Sequence, residues 1–109
     1  MTRTDAQPTW DPARYLTYAD ERSRPFGELL ARVPATERDV RTVVDLGCGP
    51  GHLTPLVTAR WPAASVHGLD SSPEMVAAAR HRGDGATYDV ADLRDWLAGD
   101  ERADLLVTN

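Results

Sequence analysis

Apolar positions change their spacing several times along the chain. Phe26, Leu29, Leu30 and Val33 recur at i, i+3, i+4 and i+7, which predicts one apolar helix face over 25–33, closed by Pro34. Ahead of it, Asp11-Pro12 reads as an N-cap followed by proline at the first helical position, so a helix is expected from there to about Arg22. Pro25 should separate the two helices, because it lacks an N–H and disfavours helix in the residue before it. The pattern then shortens. Thr42-Val43-Val44-Asp45-Leu46 is a β-branched run that stops at a glycine-rich turn, and it reads as a buried strand. Further strands are expected at 65–70, 86–90 and 103–108. Between them lie expected helices at 50–61, 73–82 and 93–98. Met75, Val76 and Ala79 share one face of the helix at 73–82, and Gly83 stands at its stop. Its start has two readings: Ser72 as N-cap, or a capping box from Ser71 to Glu74. Strands alternating with helices at this spacing imply an α/β fold on a parallel sheet.

Composition narrows the function classes. Twelve Lys and Arg against seventeen Asp and Glu give a net charge of −5, and no basic cluster occurs, so binding through phosphate neutralisation is a poor fit. No window approaches the roughly 18 apolar residues that a membrane span needs. Residues 1–5 lack an apolar segment of secretory type, and the single Cys48 excludes an internal disulfide or a cysteine-built metal site. The expectation is a cytoplasmic protein with no metal, no nucleic-acid partner and no membrane partner.

The main chemistry lies at Asp45-Leu46-Gly47-Cys48-Gly49-Pro50-Gly51. Glycine at every second position, between a strand and a helix, lets backbone approach a ligand closely. The N–H groups of the following helix start suit a carboxylate or phosphate. The spacing departs from the dinucleotide fingerprint G-x-G-x-x-G, because the third glycine comes one residue early and His52 stands in its place. Asp45 is also foreign to that fingerprint: a carboxylate there can accept from an ammonium. Asp70 closes the second expected strand, where an acid can accept both hydroxyls of a ribose. Together these positions describe a ligand with a ribose, a carboxylate and an amine.

Those residues resemble motif I and the ribose-binding acid of class I S-adenosylmethionine (SAM) methyltransferases. Ala91-Asp92-Leu93 is similar to the position that binds the adenine amino group, and residues 103–109 resemble the fourth strand, which leads to the substrate face. A narrower resemblance runs through Trp10-Asp11-Pro12-Ala13-Arg14-Tyr15-Leu16, Arg22-Ser23-Arg24-Pro25 and Gly68-Leu69-Asp70-Ser71-Ser72-Pro73-Glu74-Met75, which look like trans-aconitate 2-methyltransferases. The resemblance implies a Rossmann-like fold with strands in the order 3-2-1-4, the first part of a longer sheet. It implies an N-terminal helical lid over 1–38 and a SAM-binding half-domain over 39–109. The fourth strand would be an exposed edge if the chain ended there, so a truncated protein is expected.

The implied cofactor is SAM, held by Asp45, Gly47, Cys48, Gly49, Gly51, Asp70, Ser71, Met75, Asp92 and Leu93. The implied reaction is methyl-ester formation on a small carboxylate such as trans-aconitate, by a monomeric enzyme. A carboxylate nucleophile is already ionised at neutral pH, so no catalytic base is expected. A polycarboxylate does require cations, which Arg22 and Arg24 could supply, with Trp10, Tyr15 and Asn109 lining the lid or substrate side. The alternatives are a class I methyltransferase for another metabolite, a nicotinamide-dependent oxidoreductase, and a nucleotide-binding domain without transfer activity. His52 is expected to cap or pack the following helix, and Trp61 and Trp96 to pack in the core or over the sheet.

Overall fold

The computed structural model describes residues 19–36 and 38–108, with side chains from Ser23 onward. Helix α1 spans Ala19–Ala31. It is followed by β1 (Thr42–Leu46), α2 (Thr54–Arg60), β2 (Ser65–Asp70), α3 (Pro73–His81), β3 (Thr87–Val90), α4 (Leu93–Ala98) and β4 (Leu105–Thr108). The sheet order is β3-β2-β1-β4 and every pairing is parallel, as the alternation of strands and helices implies. Parallel pairing brings the C-terminal ends of β1 and β2 to one edge: Leu46 lies beside Leu69 and Thr108, and Asp70 lies beside Val90.

The sheet is covered on both faces, which explains why β1 is nearly continuous in apolar residues. On one face, Val43, Val66 and Val107 pack with Phe26, Leu30, Val57 and Trp61 from α1 and α2. On the other, Val44, Leu46 and Leu69 meet Leu93 and Trp96 of α4. The far end of the sheet is tied by Asp104, whose Oδ2 accepts from the N–H groups of Arg41 and Thr42 at 2.8 and 3.0 Å.

Three local expectations are corrected. Helix α1 runs through Pro25 instead of breaking there. The proline removes one donor, but burial of Phe26 and Leu30 on the sheet holds the turns on either side. Leu29, expected on the buried face, is 54% exposed, because the contact stripe follows 26, 30 and 33 and leaves 29 at its margin. Helix α2 starts at Thr54, not at Pro50, because Gly51 has φ +77°, outside the helical region. Of the two readings for α3, the structure takes Ser72 as N-cap: its Oγ accepts from the Met75 N–H at 3.3 Å and donates to Glu74 Oε1 at 3.2 Å.

Candidate functional site

The glycine turn crosses the C-terminal edge of the sheet between β1 and α2. Gly47, Gly49 and Gly51 all have positive φ (76°, 59° and 77°), the left-handed region that residues with a Cβ enter only at a cost. The turn is pinned to the end of β2, because the N–H groups of Gly47 and Cys48 both donate to the Leu69 carbonyl, at 2.7 and 3.0 Å. Asp70 completes the link. Its Oδ2 accepts from the Gly49 N–H and its Oδ1 from the Ser72 N–H, each at 2.9 Å. One carboxylate therefore holds the turn and the start of α3 together. Each of its oxygens keeps lone-pair capacity for a further donor.

Asp45 is buried beneath this turn. Burial, and then the charge of Asp70, push its carboxyl up to about 6. Burial similarly pushes the Cys48 thiol up to about 12, with Asp45 and Asp70 adding to the effect, so Cys48 is a packed thiol and not a nucleophile. None of the ion pairs among the described residues involves Asp45 or Asp70. The site thus concentrates negative charge under a glycine cradle, which favours a cationic ligand bearing hydroxyl donors and opposes a pyrophosphate. Space is available above the first glycine, where a Cβ on Gly47 would meet only Leu93 Cδ1, at 4.0 Å. The residues present accordingly fit a ligand that carries ribose hydroxyls and an ammonium.

The start of α2 adds less than its sequence suggests. The N–H groups of Gly51 and Thr54 are already used within the turn, by the carbonyls of Cys48 and Gly51. His52 sits half-buried in that turn.

The other expected positions fall as follows. Leu93 opens α4 and reaches Gly47. Asp92 caps α4, accepting from the Arg94 N–H at 2.8 Å and from its guanidinium at 2.9 Å. Those bonds hold the Asp92 carboxyl below its ordinary range. Ser71 is exposed beside the site, and Met75 is buried in the first turn of α3. Arg24 lies on the open surface of α1, where its Nε donates to Glu28 at 3.3 Å, so the structure does not bring it to the glycine turn. Trp10, Tyr15 and Asn109 lie outside the described residues, as does the side chain of Arg22. Two residues with no role expected from the sequence, Gly68 and Tyr88, lie directly beneath the turn.

Comparison with known proteins points one way. A family profile described as a methyltransferase domain matches residues 43–109. A trans-aconitate 2-methyltransferase of Streptomyces avermitilis is 49% identical over 110 residues, covering 95% of this chain and 40% of that protein. One of Mycolicibacterium gilvum is 55% identical over 100 residues, covering 92% of this chain and 37% of that protein. The chain therefore spans about two fifths of the length of these relatives. Among solved structures, a sugar N-methyltransferase from Streptoalloteichus superposes over 100% of this chain and 43% of its own, with a TM-score of 0.77 at 20% identity. A putative methyltransferase solved with the Haloferax volcanii Trm112 activator superposes over 89% of this chain and 42% of its own, with a TM-score of 0.71 at 32% identity.

Proposed function

The chain belongs to the methyltransferase domain family, and from that premise we propose that it forms the SAM-binding part of an enzyme that esterifies a small carboxylate, with trans-aconitate as the substrate. The observation that carries the cofactor is the pair of carboxylates, Asp45 and Asp70, gathered without a cationic partner among the described residues beneath three positive-φ glycines. The substrate rests on the names of relatives at 49% and 55% identity.

In this reading Asp70 accepts from the ribose hydroxyls, and Asp45 faces the ammonium of the methionine moiety. Gly47, Cys48, Gly49 and Gly51 pass their backbone along the ligand. Ser71, Met75, Asp92 and Leu93 surround the adenine. When bound, SAM supplies a methyl made electrophilic by its sulfonium. The chain's own contribution is binding and orientation, since a carboxylate nucleophile needs no base at neutral pH. Of the two segments, 1–38 and 39–109, the first is not wholly a lid: Phe26 and Leu30 pack in the core with Val43, Val57 and Trp61, so we assign a lid role only to residues ahead of them. We assign Trp10, Tyr15 and Asn109, which lie outside the described residues, to substrate contact, and leave Arg24 out of that set because it pairs with Glu28 on the open surface of α1. A single cysteine suits a reducing compartment, and we place the protein in the cytoplasm as a monomer.

Calorimetric titration with SAM and with NAD, together with transfer of labelled methyl from SAM to trans-aconitate, tests the reading. SAM binding with label in the ester is the expected result. Binding of NAD without SAM would overturn it.

Asp45 gives the site a pH signature. Its carboxyl is raised to about 6, above the value near 4 of an unfolded chain, so the folded chain retains a proton that the unfolded chain gives up. Its contribution to stability is present below about pH 4 and is lost as pH rises through about 6. Asp45→Asn should therefore stabilise the fold near pH 7.5 by on the order of 2 kcal/mol, and should flatten the pH dependence of the melt. A bound ammonium favours the carboxylate, so SAM affinity of the parent chain should rise between about pH 5 and 7 and then level. Thermal melts and titrations across that range check both outcomes.

A further inference from the structure

Tyr88 is the buried residue of β3, and it is held at both ends. Its hydroxyl donates to Asp84, 2.9 Å from Oδ2 and 3.2 Å from Oδ1. Its backbone carbonyl, on the open edge of the sheet, accepts from Arg80 Nε at 2.9 Å. Between these anchors the ring runs across Gly68, its register partner in β2. A Cβ on Gly68 would come within 2.6 Å of the ring's Cδ1 and 3.0 Å of Cys48 Cβ. The phenol end then passes under the last glycine of the turn. A Cβ on Gly51 would lie 3.1 Å from the phenol oxygen and 3.1 Å from Ala79 Cβ.

The ring thus fills the space between β2, α3 and the underside of the glycine turn, in one cluster with Cys48, Val76 and Ala79. Gly47 opens onto free space, whereas Gly51 faces protein. The requirement for glycine at 51 therefore comes from the phenol below it as well as from its φ of +77°. A phenylalanine would fill the same strand position but would lose the hydroxyl that ties the ring to Asp84 and meets Gly51.

We propose that Tyr88, anchored by Asp84, is a positioning residue for the cofactor loop: it sets the height of Cys48 and Gly51 and so tunes affinity for SAM without touching it. This rests on the SAM-binding reading above. The cost of removing the hydroxyl is that of one hydrogen bond and its loop contact, so Tyr88→Phe should weaken SAM binding roughly three- to tenfold.

The test compares Tyr88→Phe, Gly51→Ala, their double variant and Val66→Ala, by calorimetry with SAM, thermal melting and amide hydrogen exchange of the unliganded chain. Val66 is buried in the separate cluster around Trp61 and its side chain is not part of the Tyr88 cluster, so Val66→Ala serves as a control that lowers stability from outside that cluster. The expected results are weaker binding in Tyr88→Phe, unchanged affinity in Val66→Ala, and faster exchange over residues 49–53 but not over 43–46 in Tyr88→Phe. In the double variant the methyl at 51 no longer meets the phenol oxygen, so its affinity should be no worse than that of Gly51→Ala. Affinity that follows melting temperature equally in Tyr88→Phe and Val66→Ala, or strictly additive losses in the double variant, would overturn the proposal. If the parent chain bound no SAM, the functional reading would fail. The exchange data would still decide the role of Tyr88, with faster exchange confined to the loop supporting it and unchanged exchange overturning it.

Discussion

Replacing Asp70 by alanine is expected to weaken SAM binding by about 3 kcal/mol or more, roughly a hundredfold in Kd. The size follows from the number of bonds that converge on one side chain. Its two oxygens already accept the N–H groups of Gly49 and Ser72, each at 2.9 Å, and in the proposed complex they also accept the ribose hydroxyls. Hydrogen bonds to a charged acceptor are worth about 1.5–3 kcal/mol each, so loss of two accounts for the estimate. The alanine variant also releases the turn from α3, because among the described residues only Asp70 joins the Gly49 N–H to the Ser72 N–H. Asp70→Asn separates these effects. It keeps one acceptor oxygen but replaces the other with a donor, so its affinity should fall between the two. Titration calorimetry on variants checked for native circular dichroism measures the series. A folded Asp70→Ala chain that binds SAM as tightly as the parent would remove Asp70 from the site.

Asp70 was legible in the sequence because its position depends on a strand end, and strand β2 is bounded by strong local signals. The run at 65–70 carries β-branched and apolar residues between Pro62 and Ser71-Ser72-Pro73, and the strand occupies those residues. Helix α4 at 93–98 follows from similar punctuation, whereas the order 3-2-1-4 comes from the family resemblance, since local signals place strands without ordering them in the sheet. The misread elements are those where tertiary contacts decide. Proline at 25 argues locally for a break, yet Phe26 and Leu30 are anchored on the sheet by residues far away in sequence. Gly51 argues for ligand approach, but the backbone conformation it adopts delays the start of α2 to Thr54. Tyr88 was missed because its role depends on strand register, which pairs it with Gly68. A signal was present: an isolated glycine inside a strand marks close approach by a neighbour, and the next strand holds one aromatic residue.

Trp61→Ala should be the most damaging single substitution for the fold, at about 3–5 kcal/mol. The indole is 1% exposed at the end of α2, in the cluster that joins α1 to β1. Its N–H donates to the Ala35 carbonyl at 3.4 Å. The Arg60 guanidinium lies over the ring, 4.6 Å from its centroid, and donates to the carbonyls of Val33 and Ala35 at 3.1 and 2.8 Å. The ring therefore fills a core position and also forms the shelf on which Arg60 secures the segment after α1. Alanine would leave a cavity among Phe26, Val43 and Val57, and rigid neighbours close such a space only in part. Domains of this size hold only about 5–15 kcal/mol in total, so the melting temperature should fall by more than about 10 °C. Trp61→Phe keeps most of the ring volume and the shelf but loses the donor to Ala35, so its cost should be nearer 1 kcal/mol. Arg60→Ala should cost less than Trp61→Ala, because its bonds lie closer to solvent and water can replace them. Thermal and denaturant melts of the three variants give the order. If Trp61→Ala melted within a few degrees of the parent, α1 would not be held through this cluster. Its continuation through Pro25 would then need another physical cause.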